Sequence, residues 1–167
     1  MGYTIGIDQS LTSTGIVVLH DGEPKAYKVI TTDKAYDKFT RMMEAAEYII
    51  NFIQRLDKYS EEVERVIIEG LPFGMRQSNV TRDLAGLQAV IVTSLQENLK
   101  ITIEEELHIV APTTIKKYAT GSGKATKDQL FEALPESVQK VFEAVPKTKG
   151  RFDLTDAYWL AKYGDTL

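Results

Sequence analysis

The chain has 167 residues, 43% of them hydrophobic, no cysteine, and a formal net charge of −4 at pH 7. That length predicts one domain, 1–167, with a sizeable core. No apolar run approaches the ~18 residues of a membrane span, and the N-terminus lacks a signal-peptide pattern. Without cysteine there is neither a disulfide framework nor a thiolate metal site, and the expected compartment is the cytoplasm.

The acidic balance argues against a nucleic-acid partner, but the charge is unevenly spread. Residues 112–151 hold eight Lys or Arg against four acids, a local +4, whereas 33–64 and 97–108 each run to −3. A basic region of this kind binds phosphate on an acidic protein, or is simply a solvated lysine-rich face.

Tyr3-Thr4-Ile5-Gly6-Ile7-Asp8 reads as a buried strand carrying one ionisable residue, followed by a hydroxyl-rich bend and Gly15. Residues 16–19 make a second strand, Asp21-Gly22 signals a hairpin turn, and a third strand lies near 25–30. Residues 33–58 predict a long amphipathic helix with Phe39, Met42, Met43, Ala46, Ile49, Ile50, Ile53 and Leu56 on its buried face. The paired methionines read as core packing. Residues 63–69 form a strand ending in Glu69. Residues 71–79 read as a loop around Phe73 and Arg76, and 81–99 as a helix with a Leu84, Leu87, Ile91, Leu95 stripe and a close-approach point at Gly86.

A short strand over 106–110 leads to Pro112, well placed to start a helix over 113–118 that carries Lys116 and Lys117. Gly121-Ser122-Gly123-Lys124 breaks the chain before Thr126, which caps a helix to about 134. A further helix over 135–145, a basic linker over 146–150 and a final helix over 152–163 complete the chain. Neither His20 nor His108 has ligand spacing. Trp159 reads as core, and Tyr118, Tyr158 and Tyr163 as packing or base stacking.

Four carboxylates stand out. A charged Asp8 in an apolar strand costs several kcal/mol unless its charge is compensated, and Glu69 ends a second apolar strand. Asp153 and Asp156 are three apart on the final helix and share a face; alone, Asp153 also reads as an N-terminal cap. If the two strands are neighbours in a mixed sheet and the helix crosses their ends, all four converge. Such a cluster suits two divalent ions ~3.5–4 Å apart, activating water and stabilising the leaving oxygen of a phosphodiester. Oxygen ligands without cysteine favour Mg²⁺ or Mn²⁺ over zinc.

The order of these segments resembles the RuvC family of Holliday-junction resolvases, within the RNase H-like fold. The carriers are Gly6-Ile7-Asp8-Gln9-Ser10-Leu11-Thr12-Ser13-Thr14-Gly15, Ile67-Ile68-Glu69, Gly121-Ser122-Gly123-Lys124-Ala125-Thr126-Lys127-Asp128-Gln129-Leu130, and Asp153-Leu154-Thr155-Asp156-Ala157. The resemblance covers nearly the whole chain. It implies an α/β fold with a mixed five-stranded sheet flanked by helices. It implies Asp8, Glu69, Asp153 and Asp156 as catalytic, metal-binding acids, with Lys124 and Lys127 on DNA near the scissile phosphate. Phe73, Arg76, Lys116 and Lys117 complete the expected DNA-binding set, the partner is branched DNA, and the expected assembly is a homodimer.

The sequence departs from that pattern after Glu69, where Phe73 stands one place later than the junction-probing aromatic of the cellular enzymes. The divergence and compact size resemble a bacteriophage member, which would work in the cytoplasm of a bacterial host. Other readings stay open: an RNase H-like nuclease for flaps, forks or RNA, or a non-catalytic nucleic-acid-binding module. The opening also resembles the first phosphate loop of actin-like ATPases and sugar kinases, but no second copy of the motif is present and Gly121-Ser122-Gly123-Lys124 lacks P-loop spacing.

Overall fold

The computed structural model describes residues 2–56, 62–71 and 79–167. Five strands form one sheet in the order β3-β2-β1-β4-β5. β1 (Tyr3–Asp8), β2 (Ser13–His20) and β3 (Glu23–Thr31) form an antiparallel meander. Its second turn is Asp21-Gly22, both at positive φ (52° and 78°), the conformation a two-residue hairpin with native twist requires. β4 (Val63–Glu69) and β5 (Leu107–Val110) add in parallel on the other side of β1, so the sheet is mixed, as expected.

Strand alternation assigns the two faces. Ile5, Ile7, Ile16, Val18, Val66 and Ile68 join the core beneath α1 (Lys38–Gln54) and α2 (Asn79–Leu99). Val17, Leu19 and Ile67 face the opposite core, built on α6 (Arg151–Gly164). Three shorter helices flank it: α3 (Pro112–Thr120), α4 (Lys127–Glu132) and α5 (Glu136–Glu143). Pro112 opens α3, and Thr126 caps α4 in a reciprocal capping box with Gln129; both match the sequence signals.

The first long helix departs from expectation. It starts at Lys38 rather than residue 33, because the Asp33 carboxylate accepts from Ala35 N in a local turn and Asp37 caps the helix through Thr40 N at 3.0 Å. Its buried face is Met42, Ala45, Ala46, Ile49, Ile50 and Ile53. Phe39 (78% exposed) and Met43 (66%) lie outside the core. Adjacent helical residues point about 100° apart, so Met42 and Met43 cannot both face inward; only Met42 is core. On α2, Leu87, Ile91 and Leu95 are buried, while Leu84 is half-buried. Gly86 is in close approach, but to Met42 of the same chain: a Cβ there would lie 3.1 Å from the Met42 methyl. The expected loop residues Phe73 and Arg76 fall outside the described residues.

Candidate functional site

The site grows from strand geometry. Asp8 alternates with Thr4 and Gly6, so it faces α6 rather than α1. Ile7 pairs with Ile68 in the parallel β1–β4 register, which brings the next residues, Asp8 and Glu69, side by side at the C-terminal ends of neighbouring strands. Their carboxyls are within hydrogen-bonding reach of each other.

α6 completes the site by lying unusually close to the sheet. A Cβ on Gly6 would stand 2.0 Å from the Ala157 carbonyl oxygen, and one on Gly15 would stand 2.2 Å from that of Asp153. Since Gly15 pairs across the hairpin with Asp8, these two glycines set the helix directly over the acidic strand end. Asp153 and Asp156 therefore arrive at Asp8 and Glu69 on successive turns of α6. Asp153 is not the helix cap: Gly150 holds that position. Its Oδ2 instead accepts a 2.6 Å hydrogen bond from Ser13 Oγ in the hydroxyl-rich bend.

The electrostatics follow from burial and crowding. Asp8 is 9% exposed. Its carboxyl is pushed well above the ordinary value of 3.8, by burial first and then by Asp156, Glu69 and Asp153. Asp156 is pushed up to about 7, mostly by burial and by Glu69. Burial also raises Glu69, while its hydrogen bond with Asp8, Lys116 and Lys127 pull the other way. A buried group of like charges without a cation holds protons instead.

Among the described residues, no three of these side chains are gathered closely enough to grip an ion in this conformation, and Asp153 is turned toward Ser13. The donor set nonetheless fits a hard divalent cation. It is entirely carboxylate oxygen, it is partly removed from water, and its mutual repulsion is what a cation relieves.

Of the six expected DNA-contacting residues, Lys116 on α3 and Lys127 at the start of α4 act on the acidic group. Lys117 and Lys124 are exposed and are not among the charges that shift Asp8, Glu69 or Asp156. Phe73 and Arg76 lie outside the described residues. Tyr158 and Trp159 are core residues; Tyr118, Trp159, Tyr158 and Tyr163 form edge-to-face contacts, and Trp159 Nε1 donates to Leu130 O at 3.0 Å, while Tyr118 stays exposed. His20 packs edge-on against Tyr3.

Three contributors were not singled out from the sequence. Ser13 lay within the noted bend, but its partner is 140 residues away. Gln9 directly follows Asp8, and its amide donates to the Glu69 carbonyl. Phe152, next to Asp153, has Lys147 and Lys127 at 5.5 and 6.0 Å from its ring centre, which braces Lys127 beside the acids.

Known proteins share this fold. A curated crossover junction endodeoxyribonuclease RuvC from Corynebacterium diphtheriae is 25% identical over 131 residues, covering 75% of this chain and 74% of the relative. The structure of Thermus thermophilus RuvC in complex with a Holliday junction substrate superposes with a TM-score of 0.72 at 17% identity, over 97% of this chain and 92% of that one. The yeast mitochondrial Holliday junction resolvase Ydc2 shares the fold at a TM-score of 0.59 and 12% identity, over 95% of this chain and 76% of its own. The family model for crossover junction endodeoxyribonuclease RuvC matches residues 4–161. The chain therefore belongs to the RuvC family of crossover junction endodeoxyribonucleases, structure-specific nucleases that cut DNA junctions.

Proposed function

We propose that Asp8, Glu69, Asp153 and Asp156 are the catalytic acids of this nuclease, that they hold Mg²⁺ (with Mn²⁺ able to replace it), and that the substrate is branched DNA such as a four-way junction. The observation that carries this reading is the convergence of four carboxylates from β1, β4 and α6 at one strand end, with three of them driven toward protonation by burial, and Asp8 and Asp156 by like charges as well. A structural role does not account for that cost. Bound divalent ions would supply an activated water and stabilise the departing 3′ oxygen.

The chain's own residues do the rest. Asp8 and Glu69 provide a fixed edge because they end hydrogen-bonded strands. Asp153 and Asp156 provide the opposing edge on a helix held against Gly6 and Gly15. Ser13 orients Asp153, and Lys116 and Lys127 offset negative charge as a phosphate approaches. Lys117 and Lys124 extend the basic surface along the DNA, and on sequence grounds Phe73 is assigned to the branch point and Arg76 to DNA binding. Two cuts on opposed strands of a two-fold symmetric junction call for two active sites, hence a homodimer. Among the described residues, no helix is long and apolar enough to cross a membrane.

The test is a labelled panel of four-way, three-way, flap, linear duplex and RNA–DNA hybrid substrates in Mg²⁺. Paired, symmetric incisions in the four-way junction with linear duplex left intact are expected. Preferential cutting of the flap or the hybrid would overturn the substrate assignment.

A further inference from the structure

The Glu69 main chain is held in an unusual way. Glu69 is the last residue of β4, and its carbonyl oxygen receives two side-chain amides. Gln9 Nε2 approaches from the residue after Asp8 at 3.3 Å, and Gln88 Nε2 approaches from α2 at 3.4 Å. A carbonyl oxygen only accepts, so each amide must present its nitrogen, and the orientation of both glutamines is fixed. For Gln9 this has a cost. The side chain is 6% exposed, and with its nitrogen committed, its Oε1 is buried with no donor among the described residues. An unpaired buried acceptor opposes folding. Gln9 is therefore poorly explained as a stabilising residue.

We propose that Gln9 and Gln88 are positioning residues for the metal site, their amides converging on the Glu69 carbonyl to hold that carboxylate's backbone beside Asp8. The inference rests on the reading of Glu69 as a metal ligand. Across the same peptide unit, Gly70 N donates to Val110 O at 2.7 Å, so the Glu69–Gly70 peptide is held at both its oxygen and its nitrogen. The geometric consequence is specific. Asp8 is fixed by its pairing with Gly15 of β2, and α6 is fixed by close contact with the sheet. Glu69 stands where β4 ends, and the two amides meet its carbonyl there. Gln88 also ties the acid to α2, so the helix on the far face of the sheet bears directly on the metal edge.

Mn²⁺ binding to the whole protein, followed by the electron paramagnetic resonance signal of the free ion, tests this together with metal-free thermal unfolding. Gln9→Met and Gln88→Met keep the side-chain length and remove the amides. Each is expected to weaken Mn²⁺ binding by roughly 10–100-fold, the scale seen when groups orienting metal ligands are removed. The double variant is expected to lose less than the product of the two, because both amides act on one oxygen. For Gln9→Met the metal-free melting temperature is expected to hold or rise, since the unpaired acceptor is gone. Glu69→Gln serves as the reference. If it loses Mn²⁺ affinity while both methionine variants bind like the parent, the positioning role is overturned and the metal reading stands. If Glu69→Gln itself binds Mn²⁺ like the parent, the metal reading fails. A Gln9→Met protein whose metal-free melting temperature falls in step with its affinity would show an ordinary structural contact and overturn the proposal.

Discussion

Gly15 and Asp153 meet backbone to backbone, with a Cβ on Gly15 falling 2.2 Å from the Asp153 carbonyl oxygen. Because Gly15 is also the hairpin partner of Asp8, this one contact sets the distance between Asp8 and Asp153, which are 145 positions apart in the sequence. Gly15→Ala must push the first turn of α6 outward. The expected destabilisation is about 1–3 kcal/mol, the usual range for overpacking. Cleavage should fall further than that loss explains when it is measured well below the melting temperature. Gly121→Ala is the comparison, because its added Cβ meets nothing within 4 Å. Strain from its positive φ should cost on the order of 1 kcal/mol without a matching loss of turnover. Urea unfolding beside single-turnover cleavage separates the two outcomes.

The acids differ in what holds them, so their variants should differ too. Asp8→Asn removes a buried charge crowded by three like charges. It is expected to raise the metal-free melting temperature while cutting turnover by roughly 10²–10³-fold, the scale of losing one electrostatic stabiliser. Ser13→Ala leaves Asp153 in place but unoriented, with an expected loss of about tenfold to a hundredfold in metal affinity. Junction binding measured by gel shift in Ca²⁺ should be retained by both. Parental turnover for Asp8→Asn in Mg²⁺ would remove the proposed site altogether.

Acid crowding also fixes the direction of the pH response. The Asp156 carboxyl rises from 3.8 to about 7 on folding, and Asp8 and Glu69 shift the same way. Between about pH 4 and pH 7, the folded chain keeps a proton that the unfolded chain releases. Stability without metal therefore falls as pH rises through that window. A divalent ion needs the deprotonated acids, so the stabilisation by Mg²⁺ should grow over the same range. Melting temperatures in EDTA and in Mg²⁺ from pH 5 to 8 check both slopes. Asp156→Asn isolates the contribution of that group, and its metal-free curve should be flatter than the parent's.

Much of this arrangement was legible in the chain. The alternation of Ile5, Gly6, Ile7 and Asp8 marks a strand with one charged face, and the Asp153–Asp156 spacing marks one side of a helix. What the sequence left dark is relational. Gly6 and Gly15 read as ordinary strand glycines until α6 is laid across them. Ser13 and Gln9 are local polar residues whose partners lie 140 and 60 positions away. The face of α1 was misjudged at Phe39 and Met43 because a hydrophobic stripe read from spacing alone tolerates a residue 100° off axis. The start of the helix was misjudged because Asp33 and Asp37 compete to end the loop, and only Asp37 caps.

Lysines beside the acids should behave differently from lysines beyond them. Lys116 and Lys127 lower the proton affinity of Glu69 and Asp156, so Lys116→Ala or Lys127→Ala should move the pH–rate profile upward. Lys117→Ala and Lys124→Ala should weaken DNA binding with the profile unmoved. Each lost phosphate contact is expected to reduce the salt slope of binding to duplex arms by about 0.9. An unchanged slope for all four variants would place the DNA elsewhere on the protein.

Assembly is the remaining prediction. An interface centred on Gly86 is occupied within the chain, since Met42 of α1 already fills that approach. Val90 and Val92 on α2 pack partly against the monomer core. Among the exposed apolar side chains are Phe39 and Met43, one turn apart on α1, and Val80, 61% exposed at the start of α2. The Lys38–Asp83 ion pair, at 2.8 Å, joins the starts of these two helices, which puts the three apolar side chains at one end of the pair. A homodimer of this nuclease is therefore expected to use the beginning of α1 together with α2. Phe39→Glu combined with Met43→Glu should give a folded monomer, because exposed substitutions usually change stability by no more than about 0.5 kcal/mol each. The same monomer should convert paired incisions in a four-way junction to single nicks. Light scattering at micromolar concentration, with and without junction DNA, reads the first effect, and strand-resolved cleavage reads the second. A dimer that survives both glutamates would move the interface elsewhere. A parental protein that stays monomeric on the junction and makes only single nicks would shift the substrate to flaps or forks.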